Sequence, residues 1–327
     1  MQKEILSPNQ ATQGIQQYLH YQQEFLQHYL ENGKSANSLK CYRLDFQCFN
    51  EFLLSSPGYF AIQSFNNEAV ESFRHFLESR YQNINSVRRK LQTLRLFFDF
   101  LVLKRVYPEN PIKKIASAPK ALLPPHPLVF EQTMLLFHKL EEQVAAAEQS
   151  DLSLLCAQRN LILFHLVYHG CLNVSQISAL QLDDILLSQQ QAPRVLIAPK
   201  KRDPYSVMLP LAFQSLYQNY SQGLRRYQEK NNLKFTQLLF NANAHKILRG
   251  GLSARGIEEI FRRWSEAFHL SVTPKALRQS GILNWINQKI PTGQISERLG
   301  VAPSYNFANY LKYYQDNAHC QQYQDLI

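Results

Sequence analysis

Two clusters of basic residues in this 327-residue chain have the side-chain chemistry and the spacing to hold phosphate groups. The first lies in a segment of helical periodicity and consists of Arg88, Arg89, Lys90 and Arg95. The second lies between two prolines and consists of Lys200, Lys201 and Arg202. Lysine and arginine exceed aspartate and glutamate by 35 to 25, a formal net charge of +10. A net charge this large implies an anionic partner. Nucleic acid is the first candidate, and a merely solvated basic surface is the alternative.

Other kinds of chemistry have no basis in the sequence. The five cysteines are scattered, form no CxxC pair and show no metal-ligand spacing with histidine, a pattern typical of free thiols in a reducing cytoplasm. Walker A and GxGxxG motifs are absent from the sequence, so neither a nucleotide cofactor nor a metal is expected. The N-terminus carries no apolar signal region, and no apolar run approaches the ~18 residues of a membrane span. We therefore expect a cytoplasmic protein that uses no cofactor and contacts no membrane.

The elements that must position the basic clusters are predicted to form two domains. Residues 1–17 are polar and rich in glutamine, which predicts a flexible N-terminus. Residues 18–115 show only helical patterns, including helices predicted over 67–79 and 86–103. The prolines that follow predict an extended linker over 116–127.

Residues 128–327 form the second predicted domain. It opens with helices predicted over 129–148 and 156–168, and the pattern then changes to short β-rich runs at 194–198 and 205–209. The second basic cluster lies between these runs, which predicts a β-hairpin with a cationic tip. Helical patterns continue to the end. The chain is therefore predicted to be mainly α-helical with one small antiparallel β-sheet.

Short motifs resemble those of a known family along nearly the whole chain. In the N-terminal half, residues 35–46 (SANSLKCYRLDF) and 88–101 (RRKLQTLRLFFDFL), with Asn110-Pro111 after them, are similar to the core-binding domain of the tyrosine recombinase (phage integrase, Xer-like) family.

The second domain resembles the catalytic domain of the same family. The residues GCLNVSQI at 170–177, TPKALRQ at 273–279 and LGV at 299–301 are similar to the family motifs TGLRVSEL, TPHxLRH and LGH. Tyr310 follows at the spacing that the family uses for its nucleophile. The order and the separations of these motifs make the resemblance specific.

The resemblance implies a reaction. The family transfers a DNA strand to a tyrosine through a 3′-phosphotyrosyl bond, while arginine and histidine stabilise the phosphate charge and a lysine protonates the leaving 5′-oxygen. By this resemblance, Tyr310 is the nucleophile, Arg278 is the second catalytic arginine, and Lys275 stands in place of a histidine. Lys200 or Lys201 would be the general acid, and the alignment favours Lys200.

The resemblance also implies an architecture and partners. The two domains would form a C-shaped clamp around double-stranded DNA, in a nucleoid-associated cytoplasmic protein. The protein would act as a homo-oligomer, a tetramer on DNA, or in a hetero-assembly with another recombinase. The aromatic segment after Tyr310 would dock onto a neighbouring protomer, with a tail folded back on its own domain as the alternative.

Three further positions depart from the family pattern. Asn173 and Gln176 replace the first catalytic arginine and the glutamate that accompanies it, and Val301 replaces the late histidine. Losing one preorganised donor typically costs ~10²–10³ in rate. Three hypotheses follow: an active recombinase in which Arg159 or Arg202 fills the gap, a pseudo-recombinase that binds DNA in an architectural or regulatory role, and a type IB topoisomerase-like relaxase.

Overall fold

The chain folds into two compact units, divided after Leu122 within the predicted linker. The structure, a computed structural model, describes residues 8–59, 61–114, 124–147, 151–188, 190–199, 203–302 and 304–326. Most of the predicted linker 116–127 lies outside these residues. Each unit has a hydrophobic core of its own. The mainly helical, two-domain fold is therefore confirmed.

The described part of the first unit is built from helices. They are α1 (Pro8–Glu31), α2 (Ala36–Ser55), α3 (Asn67–Arg80) and α4 (Ile84–Leu103). Short polar side chains begin three of them, because Ser35, Asn66 and Asn83 each accept a hydrogen bond from a backbone N–H of the first turn. Residues 8–17, expected to be flexible, belong to α1, whose fully buried Tyr18 anchors the helix in the core.

Aromatic rings fill the core between these helices. Phe25 of α1 meets Phe46 of α2 and Phe97 of α4 edge-on, with ring centroids 5.3 and 5.8 Å apart. Such pairs contribute about 0.5–1.5 kcal/mol each beyond the burial of their area. This packing sets which face of α4 points inward and which can meet a ligand.

The second unit holds the remaining helices and two small sheets. The helices are α5 (Phe130–Ala146), α6 (Asp151–Tyr168), α7 (Val174–Ala179), α8 (Phe213–Lys230), α9 (Ala254–Phe268), α10 (Pro274–Asn287), α11 (Thr292–Leu299) and α12 (Ala308–Asp316). The strands are β1 (Ile185–Leu186), β2 (Arg194–Ile197), β3 (Tyr205–Met208), β4 (Phe240–Ala242) and β5 (Ile247–Gly250). No described helix combines the length and the apolar character needed to cross a membrane.

The predicted small antiparallel sheet is confirmed as the three-stranded sheet β1-β2-β3, and a separate β4-β5 hairpin accompanies it. The predicted hairpin is the antiparallel pair β2-β3, which ends at the partners Ile197 and Tyr205. Strand β1 has only two residues, and β4-β5 is interrupted between Asn241 and Ala242. Strands this short or irregular do not show the alternation by which strands are recognised.

A close approach between α6 and α10 positions the candidate active site. The last eight residues of α6 are all buried, and α10 packs against them. A Cβ added at Gly281 of α10 would lie 1.9 Å from the carbonyl oxygen of Tyr168, so only glycine permits this contact. The loop after α6 is thereby held beside the first turns of α10.

The C-terminal segment is folded back on its own domain, as the alternative prediction had it. Tyr323 is buried and its hydroxyl donates to the Leu128 carbonyl. The Tyr168 hydroxyl donates to the Gln324 carbonyl at 2.8 Å, and the Leu326 N–H donates to His169 Nε2 at 3.2 Å. These contacts make the segment part of the core.

Candidate active site

Arg278 lies near the start of α10 and reaches the loop that follows α6. Thr273 caps the start of α10, because its side chain accepts from the Ala276 N–H at 3.1 Å. The Arg278 Nε donates to the carbonyl oxygen of Cys171 at 2.5 Å, and Cys171 adopts a left-handed backbone conformation with φ 48°. Among the described residues, none accepts a hydrogen bond from the two terminal nitrogens of Arg278. The guanidinium is thus oriented by one bond and keeps donors for an anion.

Tyr310 lies in the field of this arginine. Burial raises the pKa of its hydroxyl to about 12, and Tyr305 acts in the same direction. The charge of Arg278 and a hydrogen bond with Gln279 lower the pKa. Arg278 is therefore close enough to act electrostatically on Tyr310, and the helices that carry the two residues, α10 and α12, are in contact. Lys275 is exposed on the same helix as Arg278.

Asn173 and Gln176 form a reciprocal cap at the start of α7. The Asn173 Oδ1 accepts from the Gln176 N–H at 3.0 Å, and the Gln176 Oε1 accepts from the Asn173 N–H at 2.8 Å. This capping box satisfies two backbone donors that a helix start otherwise leaves open. The pair is therefore a neutral structural unit, with neither the charge nor the fork of an arginine.

Gln176 has a third partner, Tyr205, which sequence reasoning missed. The Gln176 Nε2 donates to the Tyr205 hydroxyl at 2.6 Å. Tyr205 is the first residue of β3 and pairs with Ile197 at the end of the hairpin nearest its loop. The one available signal was its position directly after the cationic tip. Val301, in place of the late histidine, is half-buried and packs against the core of the second unit.

A cavity of about 810 Å³ lies beside this arrangement. Asn173 forms one wall, and Lys275 and Arg278 border it from α10. Phe261 and Glu258 of α9 contribute an apolar and an acidic side. The space at position 173 is therefore large enough for a longer side chain.

The cationic face of α4 is smaller than predicted, because Lys90 is buried. Its ammonium lies 3.1 Å from the Asp45 carboxylate, and the two side chains are only 6% and 2% exposed. Thr93 also donates to Asp45, at 2.8 Å. The assignment of Lys90 as a phosphate contact was wrong, because its ammonium is buried against the Asp45 carboxylate, whose charge it neutralises together with Arg89.

The other three basic residues of this cluster reach the surface. Arg89 pairs with Asp45 at 2.8 Å, yet its side chain remains 45% exposed. Arg88 and Arg95 are half-buried. Arg88 and Arg89 line a shallow depression together with Gln92 and Tyr42. Contact between these residues and DNA stays a prediction.

Two further predictions concern residues that could complete the site. Lys200, Lys201 and Arg202 lie outside the described residues, so their roles stay predictions. Arg159 is buried in α6, where it donates to the Phe240 carbonyl at 3.0 Å and lies over the Phe240 ring. Its remaining donors point to Asn160. Arg159 therefore serves the core of the second unit. In the parts of the chain that are described, no three histidine, cysteine, aspartate or glutamate side chains come together as a metal site requires.

Known proteins are similar to this chain over most of its length. No protein-family model matches the chain. Tyrosine recombinase XerC of Anoxybacillus flavithermus is 27% identical over 282 residues, covering 85% of this chain and 87% of that protein. Tyrosine recombinase XerD of Listeria monocytogenes is 23% identical over 287 residues, covering 86% and 89%.

Solved structures share the fold. The XerH site-specific recombinase bound to palindromic difH substrate superposes with a TM-score of 0.67 at 15% identity, over 87% of this chain and 78% of that one. A lambda integrase dimer bound to a COC′ core site gives a TM-score of 0.62 at 13% identity, over 87% and 95%. The ordered motifs, the shared fold and relatives matched over most of their length agree: the chain is similar to tyrosine recombinases in both sequence and fold.

Proposed function

We propose that this chain binds a specific duplex DNA site and acts there as a tyrosine recombinase, with Tyr310 as the nucleophile. The observation that carries the proposal is the packing of α10 against α12, which places Arg278 where its charge lowers the pKa of the partly buried Tyr310 hydroxyl. A nucleophile beside an oriented guanidinium suits attack on a phosphodiester, because the same cation stabilises the charge that grows on the phosphate.

In the proposed reaction, the Tyr310 oxygen attacks the phosphorus and loses its proton to solvent. The bond between phosphorus and the 5′-oxygen breaks, and Lys200 or Lys201 supplies the proton that the leaving oxygen needs. The terminal nitrogens of Arg278 and the ammonium of Lys275 hold the non-bridging oxygens. The 3′-phosphotyrosyl bond retains the energy of the broken bond, so resealing requires no nucleotide cofactor.

The neutral cap at Asn173 makes this chemistry slow. The charged arginine that the family places at this position is replaced by neutral Asn173, whose side-chain oxygen accepts from the Gln176 N–H. Removing one preorganised donor typically lowers such rates by about 10²–10³. We expect cleavage by this chain to be slower than in a recombinase with the complete set.

DNA binding is proposed to use both units and more than one copy of the chain. Arg88 and Arg89 of the first unit and the hairpin tip of the second unit are the proposed phosphate contacts. Two solved structures of lambda integrase, which has a similar fold, show a dimer bound to a core site and a tetramer bound to a Holliday junction. A dimer or tetramer on DNA, alone or with a second recombinase in the nucleoid, is the corresponding proposal here.

A second candidate function is DNA binding without cleavage. The capping box favours it, because Asn173 and Gln176 satisfy each other and leave no incomplete charged pair in the site. In this role the chain would be an architectural or regulatory protein on its DNA site.

One experiment separates the two candidates. A duplex selected from a random pool by its affinity for the chain is prepared with a nick, so that a cleaved strand cannot be resealed. The proposed function predicts a covalent protein–DNA adduct that disappears in Tyr310→Phe, while binding is unchanged. Tight binding without any adduct would favour the second candidate.

A further inference from the structure

The Tyr205 hydroxyl joins three parts of the candidate active site. It accepts from Gln176 Nε2 at 2.6 Å and lies 3.4 Å from the carbonyl oxygen of Leu299, to which it donates. Gln176 belongs to the cap that replaces the first catalytic arginine. Leu299 ends α11, and the chain continues through the Gly300 turn to Tyr310. One side chain at the loop end of the hairpin therefore touches both the altered pair and the segment that leads to the nucleophile.

The direction of these hydrogen bonds is determined by the chemistry of the donors. Gln176 Oε1 accepts from the Asn173 N–H, and an N–H can only donate. The amide nitrogen of Gln176 must therefore face Tyr205, and the hydroxyl of Tyr205 must accept. Because a hydroxyl carries a single proton, the Tyr205 proton is left for the Leu299 carbonyl. The amide of Gln176 thus directs the second bond as well as making the first.

The ring of Tyr205 gives independent evidence for a tight contact at this turn. Gly300 has a left-handed backbone with φ 59° and ends α11. A Cβ added to Gly300 would lie 2.4 Å from Cε1 and Cζ of Tyr205. The ring thus packs directly on the turn, so the turn requires glycine both for its backbone conformation and for this contact.

We propose that Tyr205 is a positioning residue, which holds the Leu299–Gly300 turn and so sets the path of the chain to Tyr310. Gln176 then contributes to the site, because its amide directs the hydrogen bond from Tyr205 to Leu299. This role rests on the proposed cleavage by Tyr310. The test below includes a measurement that does not depend on cleavage.

The test uses two substitutions that break the same bond in different ways. Tyr205→Phe keeps the ring on Gly300 and removes the hydroxyl. Gln176→Glu keeps the cap, since a carboxylate oxygen also accepts from the Asn173 N–H, but it takes the Tyr205 proton away from Leu299. The matched control is Tyr217→Phe, which removes a tyrosine hydroxyl that donates to the Leu182 carbonyl at 2.6 Å in the same domain.

Two readouts are taken on the full-length chain. Hydrogen exchange at the amides of Gly300 and Val301 should become about fivefold faster in both variants, as expected for the loss of one hydrogen bond, and stay unchanged in the control. The rate of adduct formation on the nicked duplex should fall by about fivefold in both, with DNA affinity retained. Combining the two substitutions should add nothing, because both remove the same bond.

The outcomes separate this proposal from the proposed function. Unchanged exchange at the turn in Gln176→Glu overturns the positioning role, whether or not an adduct forms. Faster exchange with an unchanged adduct rate also overturns it, because the turn would then be structural only. If the unaltered chain forms no adduct with the DNA it binds, cleavage by Tyr310 fails and the positioning role fails with it, even when exchange at the turn responds as expected.

Discussion

Restoring the charged pair should raise the rate of cleavage. The variant is Asn173→Arg with Gln176→Glu, and the cavity of about 810 Å³ beside Asn173 provides room for the new guanidinium next to Arg278. One added donor is worth about 10²–10³ in rate. The glutamate also withdraws the Tyr205 proton from Leu299, at a cost of about fivefold. The net gain expected from both effects is about 20- to 200-fold.

The same variant should fold less stably, which provides a second, independent check. Asn173 caps α7 through its side chain, and losing such a cap costs about 1 kcal/mol, whereas a glutamate at position 176 keeps the reciprocal bond. Adduct formation on the nicked duplex and urea unfolding measure the two effects. Asn173→Lys with Gln176→Glu is the matched control, with the charge but without the fork. A folded, DNA-binding arginine variant whose adduct rate stays within twofold of the unaltered chain would refute the reasoning.

Three further predictions concern other parts of the molecule. Lys90→Met should lower the free energy of unfolding by about 1–3 kcal/mol, because Asp45 loses one of its buried partners, and should leave DNA affinity within twofold. Arg88→Met should weaken DNA binding, because it removes a positive charge from the proposed phosphate contacts. A loss of DNA affinity in Lys90→Met as large as in Arg88→Met would contradict this division. The difference between the ultraviolet titrations of the unaltered chain and of Tyr310→Phe should place the pKa of Tyr310 near 12. The adduct rate should therefore show no plateau from this group between pH 7 and 9. A titration inflection below pH 9 that is lost in Tyr310→Phe would be inconsistent with the burial of the hydroxyl. Deleting residues 318–327 should destabilise the second unit and weaken all DNA binding, because Tyr323 and Leu326 are buried in its core; loss of DNA-bound oligomers alone would instead assign the segment to assembly.

Sequence patterns over short stretches predicted the elements that form from neighbouring residues, such as helices and a hairpin. The periodicity of α4 was visible because Leu94, Phe97 and Leu101 must face one core, and the hairpin because β-rich runs flank a turn. The motif order named Tyr310 and Arg278 as candidates, and in the structure the charge of Arg278 lowers the pKa of the Tyr310 hydroxyl, while their catalytic roles stay predictions.

Contacts between distant residues were beyond the reach of the sequence. Lys90 was interpreted as part of a basic surface because its partner, Asp45, is 45 residues away and nothing in the local pattern pairs the two. Gln176 was interpreted only as a missing carboxylate, since its bond to Tyr205 spans 29 residues. Tyr205 itself meets Leu299 across 94 residues. Roles of this kind depend on tertiary packing, which the spacing of residues along the chain does not encode.

The identity of the residue that becomes linked to DNA tests the central claim most directly. After incubation with the selected nicked duplex, nuclease and protease digestion leaves a short nucleotide on one peptide, which mass spectrometry locates. The account predicts attachment at Tyr310 and no attachment in Tyr310→Phe. Attachment at Tyr305 or Tyr313, or no attachment when the chain is saturated with the DNA, would contradict it.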